Sequence, residues 1–255
     1  MDLRFVELDA LLDRASAGFV ESDASSRERW RFMQLSAWLF HELQLEGVSL
    51  LRSDMERAFE GEEGVDYCDR VRLDQVRRAR TLLASVHEHG EEETPLSFEL
   101  LSEWQRTIAG AESAALRKSE GATEHYKHEV ALASEARAAA EAALAQAEAV
   151  RADEHPLAVS TRLLYALSRA WPYASWSGAV ARWATSAVLI GRGYPPLVVP
   201  VSERSSFYQA LHYDPSRLEG LVIGVVRSQL EMKERFFAGE LDLGSLWGET
   251  PAPAP

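Results

Sequence analysis

Apolar residues recur at spacings of three and four along nearly the whole chain, and alternating runs of β-branched residues are rare and short. The first pattern indicates amphipathic helices, whereas the second would indicate strands. The sequence therefore predicts an all-α fold. The predicted helices cover residues 2–17, 26–46, 50–61, 68–89, 96–109, 129–152, 156–170, 178–191, 203–212 and 215–238.

Three segments differ in composition from the rest of the chain. The stretch ALRKSEGATEHYKH, residues 115–128, has a central Gly121 and predicts a short β-hairpin flap between helices. The alanine-rich segment 130–150 is predicted to be helical, and its large apolar residues are too sparse for a heptad seam. We therefore favour packing within the molecule over coiled-coil pairing. The tail GSLWGETPAPAP is Pro-rich, which is typical of disorder.

Charge and composition narrow the classes of function. The formal charge of -13 repels phosphate backbones, so we expect no nucleic-acid partner. No apolar run reaches the roughly 18 residues of a membrane span, so we expect no membrane insertion. The N-terminal segment MDLRFVELDALLDRA lacks the uninterrupted apolar stretch of a secretory signal, and the single Cys68 cannot form an intramolecular disulfide. These features predict a cytoplasmic protein.

The region from 155 to 211 carries the most specific pattern. A predicted helix leads into the loop WPYASWSGAVARW at 171–183, and the following helix leads into GRGYPP. The residues that carry the pattern are Pro156, Pro172, Tyr173, Gly178, Arg182, Gly193, Tyr194, Pro195, Pro196, Arg204, Phe207, Tyr208, Ala210 and Leu211. This arrangement resembles the core of a Fic domain, a helical fold whose usual chemistry is transfer of a nucleotide monophosphate to a hydroxyl group.

The N-terminal half resembles the same family. HELQLEGVSLLRSDMERAF is similar to the inhibitory helix of Fic proteins, which places Glu46 and Gly47 on the regulatory motif. Glu42 stands where the family has Ser or Thr. The resemblance, over about 30–240, implies a Fic-like helical bundle with a hairpin flap. Its predicted parts are an N-terminal helical region over 1–95, a Fic-like core over 96–240 and a disordered tail over 241–255.

The loop departs from the family pattern at the positions that carry its chemistry. In the family a His takes the proton from the target hydroxyl, an acidic residue holds magnesium, Asn and Gly amides cradle phosphate, and a first Arg clamps the nucleotide. Here the corresponding residues are Trp171 for the His, Ser175 for the acid, Trp176 for the first Gly, Ser177 for the Asn and Ala179 for the first Arg. Gly178 and the second Arg, Arg182, are retained.

Each departure removes a physical capability. An indole nitrogen is only a donor, so Trp171 cannot act as a general base. The Ser175 hydroxyl is a poor ligand for magnesium compared with a carboxylate, and Ala179 offers no phosphate contact. We therefore assign no catalytic residue and expect no metal or cofactor. The favoured interpretation is structural: Trp171 fills the helix junction, and Ser175 or Ser177 caps the next helix.

The sequence thus predicts a pseudoenzyme that binds a protein partner as a regulator or scaffold. The alternatives are a noncanonical enzyme using Tyr173, Ser175, Ser177 and Arg182, or a sensor of ATP or another nucleotide. The candidate ligand-binding residues are Ser177, Gly178, Arg182 and Arg117, the last matching the family's Arg before the flap. Because Fic proteins often dimerise, the resemblance also implies a homodimer. We further hypothesise an ion pair between Glu46 and Arg182 that docks the N-terminal helix across the loop.

Overall fold

The computed structural model describes residues 2–119, 129–213 and 215–241. Ten α-helices and no named β-strand occur in these ranges, so the predicted all-α class is confirmed. The helices are α1 (Leu3–Glu21), α2 (Ala24–Leu45), α3 (Arg52–Glu60), α4 (Tyr67–Glu91), α5 (Phe98–Ala109), α6 (Ala136–Val150), α7 (Pro156–Ala170), α8 (Ser177–Ile190), α9 (Arg204–Tyr213) and α10 (Pro215–Phe237). A short 3₁₀ helix, Val201–Glu203, precedes α9.

The helix boundaries follow from local capping chemistry. The first N–H groups of a helix have no partner inside it, and a short polar side chain before the helix can accept from one of them. Asp23 accepts from the Ser26 N–H at the start of α2, Asp66 from the Asp69 N–H before α4, and Ser97 from the Leu100 N–H before α5. These caps explain why the predicted starts of these three helices agree with the structure to within two residues.

Helix α8 lies at the centre of the core. All fourteen of its residues are buried, and it packs against α4, α5 and α7. A helix that is buried on every side offers no polar face to water, which agrees with its run of Ala, Val, Leu and Ile residues. Arg182 is the one charged residue of α8, and its charge needs partners inside the protein.

Helix α1 packs against α10 and so joins the two ends of the described chain. The rings of Phe19 and Phe237 meet edge to face at 5.5 Å. Ion pairs connect the same two helices, with Arg14 Nε 2.7 Å from the Glu234 carboxylate. The contact between α1 and α10 thus combines packed aromatic side chains with ion pairs at the surface.

The alanine-rich helix begins later than predicted. The prediction started at residue 129, but α6 starts at Ala136. Residue 131 is held outside a helix because its N–H donates to the Arg169 carbonyl at 2.8 Å and its carbonyl accepts from the Arg117 guanidinium. Beyond this point the prediction is confirmed, since α6 packs against α5 and α7 within the molecule.

The predicted hairpin flap is not seen. Instead, Leu116 and Tyr173 form an isolated antiparallel bridge. The Arg117 N–H donates to the Pro172 carbonyl at 2.9 Å, and the Ala174 N–H donates to the Ala115 carbonyl at 2.8 Å. The backbone groups that a second flap strand would need at 115 and 117 are therefore used by the loop after α7. Residues 120–128, the rest of the predicted flap, lie outside the described residues.

None of the described helices is both long enough and apolar enough to cross a bilayer. The Pro-rich tail predicted over 241–255 lies outside the described residues except for Leu241. The predicted division between an N-terminal region and a core at residue 95 stays a prediction.

Candidate functional site

Two tryptophans bracket the loop between α7 and α8. Trp171 ends α7 with φ 45° and ψ 57°, and Trp176 precedes α8 with φ 66° and ψ 9°. A left-handed backbone costs an L-residue roughly 1–2 kcal/mol, so packing must hold both residues in place. The family's Gly stands at the position of Trp176, and the positive φ gives the physical reason for a glycine there.

The first half of the loop is buried. Trp171 is 3% exposed and Tyr173 is fully buried. The Tyr173 hydroxyl lies 3.0 Å from the Ser102 hydroxyl, and its ring stacks on Phe98 with centroids 5.8 Å apart. Burial raises the pKa of Tyr173 to about 12, so the phenol stays protonated at neutral pH. Trp171 and Tyr173 thus form part of the core and provide no base.

Ser177 ties the loop to the first turn of α8. Its buried hydroxyl accepts from the Tyr173 N–H at 2.8 Å and donates to the Tyr173 carbonyl at 3.0 Å. The expectation that Ser175 or Ser177 caps α8 is wrong, because Trp176 occupies the N-cap position without a side-chain cap bond. The Ser177 hydroxyl instead bonds to both backbone groups of Tyr173 and so connects the two ends of the loop. Gly178 is buried in the same turn.

The second half of the loop faces solvent. Ala174 and Ser175 are exposed, and the Ser175 hydroxyl lies 3.5 Å from the Gln105 side-chain nitrogen. Gln105 is fully buried, and its side-chain oxygen accepts from the Ala115 N–H at 3.2 Å. Gln105 therefore links the loop to the segment before the bridge.

The loop does not fit a magnesium ion. Magnesium is usually held by carboxylate oxygens, and the position that the resemblance gives to an acidic residue holds the Ser175 hydroxyl. In the described ranges, no group of three or more His, Cys, Asp or Glu side chains is placed to hold a metal.

Arg182 is held by two carboxylates from α2. Its Nε lies 2.9 Å from Glu42 Oε1, its Nη2 contacts the same oxygen, and its Nη2 lies 2.7 Å from Glu46 Oε1. The guanidinium is fully buried, Glu42 is 2% exposed, and Glu46 caps the end of α2. We call Glu42, Glu46 and Arg182 the carboxylate clamp. It joins α2 to the central helix across more than 130 residues of sequence.

The clamp contains more negative than positive groups. One guanidinium faces two carboxylates, and like charges four residues apart on a helix repel each other. Burial raises the pKa of Glu42 to about 7, although Arg182 acts in the opposite direction. Burial thus favours the neutral acid of Glu42, and protonating it brings the pairing closer to one cation with one anion.

Arg117 is the second buried arginine of the site, and it is 7% exposed. Its Nε donates to the Trp171 carbonyl at 3.0 Å, its Nη1 donates to the Ser119 carbonyl at 3.1 Å, and its Nη2 donates to the Ala131 carbonyl. These bonds hold the loop, the bridge segment and the approach to α6 together. Arg117 thus acts as a cross-link between three backbone segments.

The structure contains the ion pair hypothesised between Glu46 and Arg182, and it adds Glu42, which sequence reasoning passed over. Gly47 follows α2 with φ 85°, a left-handed conformation that suits glycine. Ala179 is fully buried in α8 and contributes no polar group. The ligand-binding and regulatory roles of Ser177, Gly178, Arg117, Arg182, Glu46 and Gly47 stay predictions.

No protein-family model matches the sequence, and no curated protein sequence matches it. Solved structures do match the fold. The chain is similar to a Fic-domain-containing signalling protein from Bacteroides thetaiotaomicron, with 16% identity, a TM-score of 0.79, and 92% of this chain and 97% of that chain covered. It is also similar to Fic-1 from C. elegans, with 15% identity, a TM-score of 0.71, and 91% and 71% covered.

A third similar structure is IbpAFic2, solved in complex with adenylylated Cdc42, with 11% identity and a TM-score of 0.55. The match covers 88% of this chain and 76% of that chain. At these identities the similarity shows the fold, and the expected Fic-like helical bundle is confirmed.

Proposed function

We propose that this protein is a Fic-fold pseudoenzyme that does not transfer nucleotides and acts by binding another protein as a regulator or scaffold. The observation that carries the proposal is the carboxylate clamp. Arg182, the arginine retained from the resembling motif, has its buried guanidinium in contact with Glu42 and Glu46. A nucleotide phosphate at this arginine would meet two carboxylates, and like charges at such distances repel strongly in a buried site.

The loop geometry supports the same proposal. At the position of the family's catalytic His, the Trp171 side chain is buried and its carbonyl accepts from Arg117. General base catalysis typically contributes on the order of 10²–10⁴ in rate, and the indole supplies none of it. The acidic metal ligand and the first arginine are replaced by Ser175 and Ala179. The positions of the general base, the acidic metal ligand and the phosphate-binding arginine thus all carry residues that lack these functions.

The surface beside the loop supports a role in protein binding. Leu116, in the bridge to Tyr173, is 40% exposed, and Leu132, next to the residue bonded by Arg117, is 53% exposed. Apolar patches on a protein surface can mark sites of protein binding, and we assign the proposed contact to these two side chains. IbpAFic2, which has the same fold, is solved in complex with a protein, adenylylated Cdc42. We infer that this side of the molecule receives the partner.

Two measurements test the loss of transfer. Calorimetric titration with ATP and magnesium should give no binding in the micromolar range, and labelled ATP should give no labelled protein. The matched control is a variant with the family residues restored, Trp171→His, Ser175→Glu and Ala179→Arg, in a Glu46→Gly background. Transfer by the natural sequence would contradict the proposal. Saturable nucleotide binding without transfer would favour the sensor alternative.

Partner binding needs its own test. A partner captured from the source cells should bind the purified protein directly, with an affinity that Leu132→Glu lowers at least about tenfold, a loss of roughly 1.4 kcal/mol. Val20→Glu is the matched control, because Val20 is 72% exposed on α1. Equal binding by both variants would contradict the proposed surface.

A further inference from the structure

A groove lies between α2, α10 and the segment at 198–203, and it belongs to no part of the loop or the clamp. Its volume is about 590 Å³, which falls in the range of roughly 300–1,000 Å³ typical of small-molecule sites. Its walls are mainly apolar, and the apolar side chains include Met33, Ala37, Val198, Leu221, Val225 and Met232. A groove of this size and lining suits an alkyl chain or another apolar body.

A smaller cavity of about 190 Å³ adjoins the groove, since Trp30 and Gln34 line both. Arg31 and Lys233 line this second cavity. Both point at one aromatic ring, because the Arg31 guanidinium carbon lies 5.3 Å and Lys233 Nζ 4.9 Å from the Phe19 centroid. We call the larger space the apolar groove and the smaller one the head cavity.

Within the described residues, neither Arg31 nor Lys233 forms an ion pair, although the chain as a whole is strongly acidic. Burial lowers the pKa of Lys233, which expresses the cost of keeping a cation away from water without a nearby anion. Aromatic contact offsets only a small part of such a cost. An anion beside Lys233 would offset this cost, and the exposed Arg31 on the same cavity would supply a second cationic contact.

The charged side chains that line the head cavity indicate the charge of the ligand that would fit there. Glu91 also lines the cavity, with its carboxylate 3.6 Å from His87 Nδ1. Two cations and one carboxylate leave a net charge of plus one when His87 is neutral. A single negative charge balances it, whereas a phosphate with two charges would exceed it. The head cavity therefore suits a monoanion, and the carboxylate of Glu203 lines the apolar groove but not the head cavity.

We propose that the head cavity and the apolar groove form one binding site for an amphipathic monocarboxylate. The carboxylate pairs with Arg31 and Lys233, and the apolar chain passes Trp30 and Gln34 into the groove. Charge-assisted bonds from two cations give the head its orientation, and burial of the chain gives most of the affinity. The site does not depend on the proposed function of the loop.

The groove offers a matched pair of variants on α10. An added Cβ at Gly224, which lines the groove, or at Gly220, one turn earlier and outside the groove lining, would meet no atom within 4 Å. Gly224→Leu should therefore fill the groove without disturbing the fold, and Gly220→Leu should leave the groove open. Both changes replace a helical glycine, so both should keep or raise helix stability.

The experiment is calorimetric titration of the full chain with decanoate, with 1-decanol as the uncharged probe and acetate as the head alone. Decanoate should bind saturably and more tightly than either control. Gly224→Leu should weaken decanoate binding at least about tenfold while Gly220→Leu leaves it unchanged. Lys233→Gln and Arg31→Gln should each weaken decanoate by several-fold and leave decanol unaffected, with circular dichroism confirming that every variant is folded.

Three results would overturn the proposal. Absence of saturable decanoate binding would remove the site. Equal affinity for decanoate and decanol would exclude the carboxylate contact with Arg31 and Lys233. Equal decanoate binding by the natural sequence and the folded Gly224→Leu variant would place the ligand outside the groove.

Discussion

Arg182 and Arg117 are both buried in the site, and they differ in what surrounds their charge. Arg182 contacts the carboxylates of Glu42 and Glu46, whereas Arg117 donates to the backbone carbonyls of three segments. Ionisable partners make the first cluster sensitive to proton concentration, and carbonyl dipoles do not titrate. The comparison shows that a buried cation can join distant helices through charge or shape a loop through dipoles, with different responses to the same perturbation.

The largest expected effect comes from removing the cation of the clamp. Arg182→Ala leaves the buried Glu42 and the partly buried Glu46 without their shared partner, and breaking a buried pair in this way costs about 3–5 kcal/mol. Urea unfolding should show this loss. In a background of Glu42→Gln and Glu46→Gln the same change should cost much less, because no buried charge is then stranded. Equal costs in both backgrounds would mean that the clamp does not act through charge.

Removing the other arginine should have a smaller and more local effect. Arg117→Ala takes donors from the Trp171, Ser119 and Ala131 carbonyls but leaves no buried anion, so we expect a loss of about 1–3 kcal/mol. Hydrogen exchange should accelerate at the amides of Arg117 and Ala174, which form the bridge. The exposed Arg137→Ala is the control. Unchanged exchange at the bridge would contradict the cross-linking role.

The pH dependence of stability should further distinguish the surroundings of Arg182 from those of Arg117. Its pKa is raised from 4.5 to about 7 in the folded protein, so the stability it contributes is complete below about 4.5 and is lost as pH rises through 7. Glu42→Gln should remove this dependence. Its stability relative to the natural sequence should rise by roughly 2–3 kcal/mol between pH 5 and pH 8.5.

The measurement is urea unfolding at several pH values, with the exposed Glu63→Gln as control. Arg117→Ala should keep the pH profile of the natural sequence, because the partners of Arg117 are carbonyls. A Glu42→Gln profile parallel to that of the natural sequence would contradict the raised pKa.

The smallest predicted difference concerns the loop that joins the two arginines. Trp176 has φ 66°, so Trp176→Gly should be more stable than Trp176→Ala by about 1 kcal/mol, although both lose the indole. Because both variants lose the packing of the indole, the difference between their unfolding free energies reflects the cost of the left-handed backbone at residue 176. Thermal unfolding of both can resolve this difference, and equal midpoints would show that the loop relaxes away from the left-handed conformation.

Hydrophobic periodicity predicted the helices well because their caps and apolar faces are local properties of the sequence. It placed the start of α6 at residue 129 because the segment before Ala136 has strong helix formers. Contacts from Arg117 and Arg169, distant in sequence, hold Ala131 in another conformation. The missing hairpin has a similar cause, since the segment at 115–117 pairs with the loop.

The site was predicted only in part. The resemblance led to the pairing of Glu46 with Arg182, but Glu42 was noted only as a departure from Ser or Thr. A signal was available, because residues four apart lie on the same face of a helix and Glu42 therefore points the same way as Glu46. The position of Arg182 inside the core could not be deduced locally, since it depends on how α8 is surrounded.

The packing of α1 against α10 also bears on how the chain folds. The contact joins residues separated by more than 200 positions, and contacts at such separation form slowly because a long loop must close first. During synthesis, α1 leaves the ribosome long before its partner and must keep its apolar face covered in some other way.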